Sequence, residues 1–188
     1  ELLLEIRDQT VTAANAAVLV GKLQQFTSGQ VYDENKEVVE IHDLKIQMLR
    51  EVAEKSDGPL LVATKFIHER KRVVREIEGA EEFDESRMDD WNARKIRMWV
   101  ADPRSVGVGL NLQLGSNHVV WYSLTHSFGD YDQFNCRVIR PGQTRPVTIT
   151  RLVIPHTVDD AVAETLRTKG DGQSGLLTAL VNIQKLSQ

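Results

Sequence analysis

The chain has 188 residues, 41% hydrophobic and 27% charged, with a formal net charge of −4. That is the composition of a soluble globular domain with room for a core, and the acidic balance argues against indiscriminate nucleic-acid binding. No apolar run approaches the roughly 20 residues that span a bilayer. No basic leader precedes the early apolar run, and the single Cys136 excludes a disulfide within the chain, so a reducing, intracellular setting is expected.

In chain order, Glu1 to Ile6 is a short apolar run that reads as a strand or as the end of an upstream element. From Thr12 to Thr27, Ala16, Leu19, Val20, Leu23 and Phe26 recur at helical spacing, and Gly29 is a natural stop. Residues 31–41 read as an extended loop or a hairpin. Asp43 can cap a helix running to Lys55, with Leu44, Met48, Leu49 and Val52 inward. Leu60 to Thr64 has the continuous apolar character of a buried parallel strand. A helix follows from Ile67 to Ile77, whose Arg70-Lys71-Arg72 run reads as a solvated face. An acidic stretch then carries a short strand at Phe83 and a helix start at Ser86, with Trp91 turned inward. Ile96 to Ala101 and Val119 to Tyr122 read as strands, Asp130 to Ile139 as a helix and Val147 to Ile154 as a strand. Thr157-Val158-Asp159-Asp160 opens a helix to about Lys169 with a capping box. The glycines at 170, 172 and 175 precede a last amphipathic helix at Leu176 to Leu186. Strands alternating with helices imply a parallel sheet covered on both faces, with ligands at the carboxyl ends of its strands.

Two stretches carry chemistry. The first runs from Gln133 to Gln143 and includes Arg137 and Arg140. On a continuous helix, Gln133, Arg137 and Arg140 share one face. Two guanidiniums there suit a phosphate clamp, because Arg offers a planar fork of donors and stays charged; a solvated helix end is the plainer alternative. The second is the loop 101–113, where Gly107 and Gly109 permit close backbone approach and Ser105 and Asn111 supply a hydroxyl and an amide. Residues 101–155 hold five arginines against three acids, whereas the rest of the chain holds 18 basic against 24 acidic residues. A phosphate-binding Gly-x-x-x-x-Gly-Lys-Ser/Thr loop is missing; Gly21-Lys22 lacks both the earlier glycine and the hydroxyl. The spacing of His118, His126 and His156 suits no metal site.

Three blocks in this order resemble the second lobe of superfamily-two helicases, most closely the Swi/Snf-type DNA translocases in a compact phage- or prophage-like variant. Leu60 to Phe66 resembles motif IV, Ser105 to Gln113 motif V, and Gln133 to Gln143 motif VI. Lys22-Leu23-Gln24-Gln25 and Thr157 to Asp160 match the helix starts that flank these blocks in the family. Phe134, Ile139 and Pro141 depart from the usual motif VI residues, and Ser123 stands where the family carries an acidic strand end.

The resemblance implies an α/β fold: a RecA-like three-layer α/β/α sandwich with a mainly parallel central sheet, plus C-terminal helices. Residues 1–170 would be the helicase lobe and 171–188 a helical extension. It implies ATP with Mg2+, both held mainly by an N-terminal RecA-like lobe of the same polypeptide. Arg137 and Arg140 would then act as arginine fingers, Gln133 would position them or a water, and Gly107 and Gly109 would sense the nucleotide. Ser105, Asn111, Lys65 and His68 would contact the DNA backbone, with duplex DNA as the expected partner. A solvated helix start is an equal reading of Lys65 and His68. No membrane partner and no metal bound by this chain alone are expected, and the setting would be the cytoplasm of a bacterial or phage-infected cell. Two rival readings remain open: a non-catalytic RecA-like binding module, and a different α/β enzyme whose arginines grip a diphosphate.

Overall fold

A computed structural model describes residues 13–168 except 34 and 107–108. Five parallel strands form the central sheet: β3 (Leu60–Ala63), β4 (Ala80–Glu82), β5 (Met98–Ala101), β6 (His118–Trp121) and β7 (Thr148–Arg151), ordered β4-β5-β3-β6-β7. The central β3 pairs on both sides, Leu60 lying opposite Met98 and His118. All four of its residues are buried, which is why its sequence is continuously apolar rather than alternating. The helices are α1 (Ala13–Ser28), α2 (Leu44–Lys55), α3 (Ile67–Glu76), α4 (Met88–Asn92), α5 (Phe128–Asn135) and α6 (Val158–Arg167).

The period of two along the strands sorts the core into two layers. Leu61, Ala63, Trp99, Val119 and Trp121 face one side, with Trp91, Phe134 and Val162. Leu60, Val62, Met98, Val100 and Val120 face the other, with Ile46, Leu49 and Val73. Trp91 stacks on Trp99 with ring centroids 4.9 Å apart, so the tryptophans are core residues, as their sequence context predicts. Segment 31–41 resolves into a hairpin, β1 (Gln30–Tyr32) antiparallel to β2 (Val38–Glu40). Gly29 ends α1 at φ +89°, where a Cβ would lie 2.1 Å from the His42 carbonyl oxygen.

Several inward assignments are corrected. Phe26 is 53% exposed, and the polar Gln24 takes the buried position, donating 2.8 Å to the Leu124 carbonyl. Leu44 is exposed, whereas Lys45 beside it is buried against Asp159 at 2.8 Å. Arg72 leaves the solvated face predicted for it and donates to the carbonyls of Gly29 and His42 and to Glu76. Each of these polar groups is buried because a fixed partner meets it. The Thr157 cap forms, but Asp160 reaches past it to the His156 amide. The early run, the last predicted helix and the segment 171–188 lie outside the described residues.

Candidate functional site

The predicted helix 130–139 is shorter at its carboxyl end than the periodicity implies. α5 opens at Ser127, whose hydroxyl accepts the Asp130 amide, and stops at Asn135. Past it the amides of Arg137 and Val138 bond three residues back, to Phe134 and Asn135, in tighter turns. Trp121 donates through Nε1 to the Asn135 side chain at 3.0 Å, pinning the last helical residue to the sheet. Further on, Pro141 lacks an N–H and disfavours helical backbone at Arg140. Residues 136–143 continue as turns, with Gln143 N bonded to Arg140 O at 3.0 Å and Gly142 at φ +97°. Gln133 therefore sits exposed on α5, while Arg137 and Arg140 lie beyond it; the single helical face of three residues is not formed.

The two arginines are nevertheless neighbours. Arg137 is only 3% exposed, and its guanidinium is held below its ordinary pKa by burial first and by Arg140 second. Arg140 donates through Nε to the Cys136 carbonyl at 3.0 Å and through Nη1 to the Asn111 side-chain oxygen. Among the described residues neither arginine makes an ion pair with a carboxylate. Like charges gathered without a counter-charge fit an anionic ligand such as a polyphosphate. Among the described residues no group of three or more His, Cys, Asp or Glu could hold a metal.

The second stretch is stitched to the first. Leu112 donates its amide to the Arg137 carbonyl at 3.0 Å, and its own carbonyl accepts Trp91 Nε1 at 3.0 Å. Gln143 donates through Nε2 to the carbonyls of Gln113 and Ser116, both at 2.9 Å. Sequence reading gave Gln143 no role beyond closing the motif and placed Trp91 only in the core; their polar ends are what join the two segments. Gly109 stands at φ +97° with open space where a side chain would begin, and Gly107 lies outside the described residues. Ser105 is exposed, its hydroxyl bonded to the Asp102 carbonyl at 2.8 Å. Arg104 is tied to Asp130 at 3.0 Å, fastening this loop to α5.

Lys65 and His68 flank the carboxyl end of β3, and they part company there. Lys65 lines a cavity of about 130 Å3 with Thr64, Asp102, Arg104, Ser123 and Asp130. It bonds to the Gln24 side chain, and its pKa falls to about 8, mainly through burial. His68 is buried, stacked on Phe66 at 5.3 Å and bonded to Gln30 at 3.2 Å, with its pKa lowered to about 4, mainly through burial. A neutral, enclosed imidazole does not suit contact with a phosphate backbone, so the expectation for His68 does not fit its surroundings. Glu69, which sequence reading passed over, is the buried hub of this loop. It accepts the amides of Lys65 and Phe66 at 2.9 and 3.1 Å and the Ser123 hydroxyl at 2.6 Å. Burial raises its pKa. The signal was a Glu at the third helical position, from which a carboxylate reaches back to the amide that precedes the helix.

Among known proteins, the chain is 36% identical over 96% of its length to protein p41 of Acyrthosiphon pisum secondary endosymbiont phage 1, spanning 41% of that protein. Over 52% of its length it is 30% identical to fft1 of Schizosaccharomyces pombe, described as an ATP-dependent helicase, of which it spans 10%. No family model matches. The fold matches the crystal structure of the C-terminal part of the Fun30 ATPase domain with a TM-score of 0.61 and 16% identity, covering 76% of this chain and 54% of that one. The chain thus spans less than half the length of the curated relatives it matches, and its five-stranded sheet is parallel, in keeping with the mainly parallel central sheet the resemblance implies. Sequence and fold together bear out that resemblance: the chain is similar to the C-terminal RecA-like lobe of Swi/Snf-type superfamily-two helicases, in a form shared with a phage protein.

Proposed function

We propose that these residues form the second motor lobe of an ATP-dependent DNA translocase or helicase. In this reading Arg137 and Arg140 complete a nucleotide site whose phosphate-binding loop and metal carboxylates come from an N-terminal RecA-like lobe of the same polypeptide. The observation that carries it is the arginine pair, held without a carboxylate partner among the described residues and fastened to the neighbouring motif through Asn111, Leu112 and Gln143. When a γ-phosphate is transferred, charge spreads over its equatorial oxygens, and a positioned guanidinium stabilises that charge by roughly 10³–10⁵ in rate. Gln133, exposed on α5, orients that face or a water, and Gly107 and Gly109 let the backbone follow the nucleotide. Ser105, Asn111 and Lys65 contact the DNA backbone, which suits tracking of duplex DNA irrespective of sequence. His68 supports Phe66 instead of touching DNA. Residues 1–170 form the lobe and 171–188 its extension, working in the cytoplasm of a bacterial or phage-infected cell.

The test uses both the lobe and the intact protein. The 188 residues alone show no ATPase above background, and measurable turnover overturns the half-site reading. In the intact protein, Arg140→Ala abolishes DNA-stimulated hydrolysis while ATP binding persists. Normal turnover at saturating ATP overturns the finger role.

A further inference from the structure

A second pair of arginines lies at the amino ends of the strands, apart from the residues assigned above. Arg94 follows α4, and Arg145 lies between Gln143 and β7. Both reach over Gly58, just before β3. Arg94 Nη2 lies 2.3 Å, and Arg145 Nη1 4.0 Å, from the point where a side chain at 58 would begin. A side chain at 58 would displace the Arg94 guanidinium from its present place. They line an open cleft of about 650 Å3 with Asp57, Asn117, His118 and Thr148.

Two features make this more than a pair of surface arginines. First, Arg145 Nη1 is buried and finds no hydrogen-bond partner among the described residues, while its Nη2 reaches the Leu114 carbonyl at 3.4 Å. A buried guanidinium nitrogen without an acceptor is costly, so an acceptor entering the cleft would be stabilised there. Second, the two cations are close enough for Arg94 to disfavour the charge on Arg145, the second cause after burial. The other charges facing the cleft do not offset them. Asp57 is the one carboxylate among the described lining residues and pairs with neither arginine. Lys55 adds a further positive charge, its ammonium turned to Glu51 at 3.5 Å. His118 is occupied by the Thr150 hydroxyl at 2.8 Å.

We propose that Arg94 and Arg145 clamp a phosphate-class oxyanion over Gly58. The anion would accept from both guanidiniums, satisfy Arg145 Nη1 and relieve the repulsion between the pair. Arg94 is exposed, so its side chain swings to admit the ligand. The same chemistry is offered by free phosphate and by a nucleic-acid backbone, and the experiment separates these.

The 188-residue chain is titrated with inorganic phosphate against sodium chloride at matched ionic strength, followed by thermal unfolding and calorimetry. Phosphate raises the melting temperature saturably and chloride does not. Arg94→Ala, at an exposed position, keeps the fold and weakens phosphate binding by about tenfold or more. Gly58→Val, which fills the floor of the clamp, does the same. A duplex oligonucleotide titrated in parallel by fluorescence anisotropy identifies the source. Affinity reduced in Arg94→Ala assigns the anion to a DNA backbone, and unchanged affinity with lost phosphate binding assigns a free phosphate. If Arg94→Ala alters neither response, the proposal is overturned.

Discussion

The side chain of Gln143 is hydrogen-bonded to the main chain of Gln113 at 2.9 Å, joining segments 30 residues apart. The same amide nitrogen bonds to Ser116, and the Gln143 side-chain oxygen accepts the Arg145 amide at 3.2 Å. With the turn bond from Gln143 N to Arg140 O, this fixes the loop that carries Arg140. A displacement of about 1 Å in a catalytic group can cost roughly 100-fold in rate. In the intact protein, Gln143→Ala therefore lowers kcat by about that factor and leaves the KM for ATP nearly unchanged. Steady-state kinetics alongside a melting curve decide it. A normal kcat with only a lower Tm means that the bonds serve the fold alone.

Asn111 holds Arg140 from the other side, and it is exposed where a backbone phosphate can reach it. In the proposed reading Asn111 stands between a DNA phosphate and the Arg140 finger; a residue linking two sites couples them, typically by about 5–150-fold. Asn111→Ala is expected to keep DNA-free ATPase and to lose stimulation by DNA within that range. Full stimulation in the variant removes Asn111 from the coupling.

The buried pair Lys45 and Asp159 joins α2 to α6, which lie far apart in the chain. Asp159 also accepts the Thr27 hydroxyl at 3.0 Å and the Ile154 amide at 3.1 Å. Removing one partner of such a pair leaves an uncompensated charge and costs roughly 3–5 kcal/mol. Urea unfolding of Asp159→Ala measures this. Lys45→Met combined with Asp159→Ala restores part of the loss, whereas additive losses show that the ion pair is not the cause.

That pair also marks the limit of sequence reading. The strands were legible because β3, β5 and β6 are buried by neighbours on both faces, so their apolar runs are unbroken. Lys45 was not, since nothing local distinguishes a lysine destined for burial until Asp159 is folded against it. That Arg137 and Arg140 are neighbours was legible, but the helical face carrying them was not: the periodic pattern runs on to Ile139, whereas the helix stops at Asn135 and the chain continues in tighter turns. His68 failed for a related reason: a histidine at a helix start is solvated or enclosed according to Phe66 and Tyr32, whose rings close around it only in three dimensions.

The enclosed histidines make the lobe acid-sensitive. Burial lowers the pKa of His68 to about 4 and, with help from Lys65, that of His126 to about 3. The unfolded chain titrates these groups near 6.5. Between pH 6.5 and 4 the unfolded state binds more protons, so stability falls as pH falls through that window. Melting temperature measured from pH 7.5 to 4 in His68→Gln shows a shallower decline than the unaltered chain. Parallel curves overturn the assignment of His68.

Lys65 titrates in the opposite range, and its role turns on that. Burial lowers its pKa to about 8, so the ammonium carries its charge at pH 7 and loses it as pH rises through 8. A DNA phosphate placed beside it favours the charged form, so binding near pH 8 takes up a proton. Calorimetry of the intact protein with duplex DNA, in two buffers of different ionisation enthalpy, then reports proton uptake, and affinity declines from pH 7 to 9. Lys65→Arg keeps its charge throughout and flattens that decline, because a guanidinium does not deprotonate in this range. Lys65→Gln binds more weakly at pH 7 and shows no decline from this group. If Lys65→Arg keeps the original pH slope, Lys65 is a buried partner of Gln24 and not a contact for DNA.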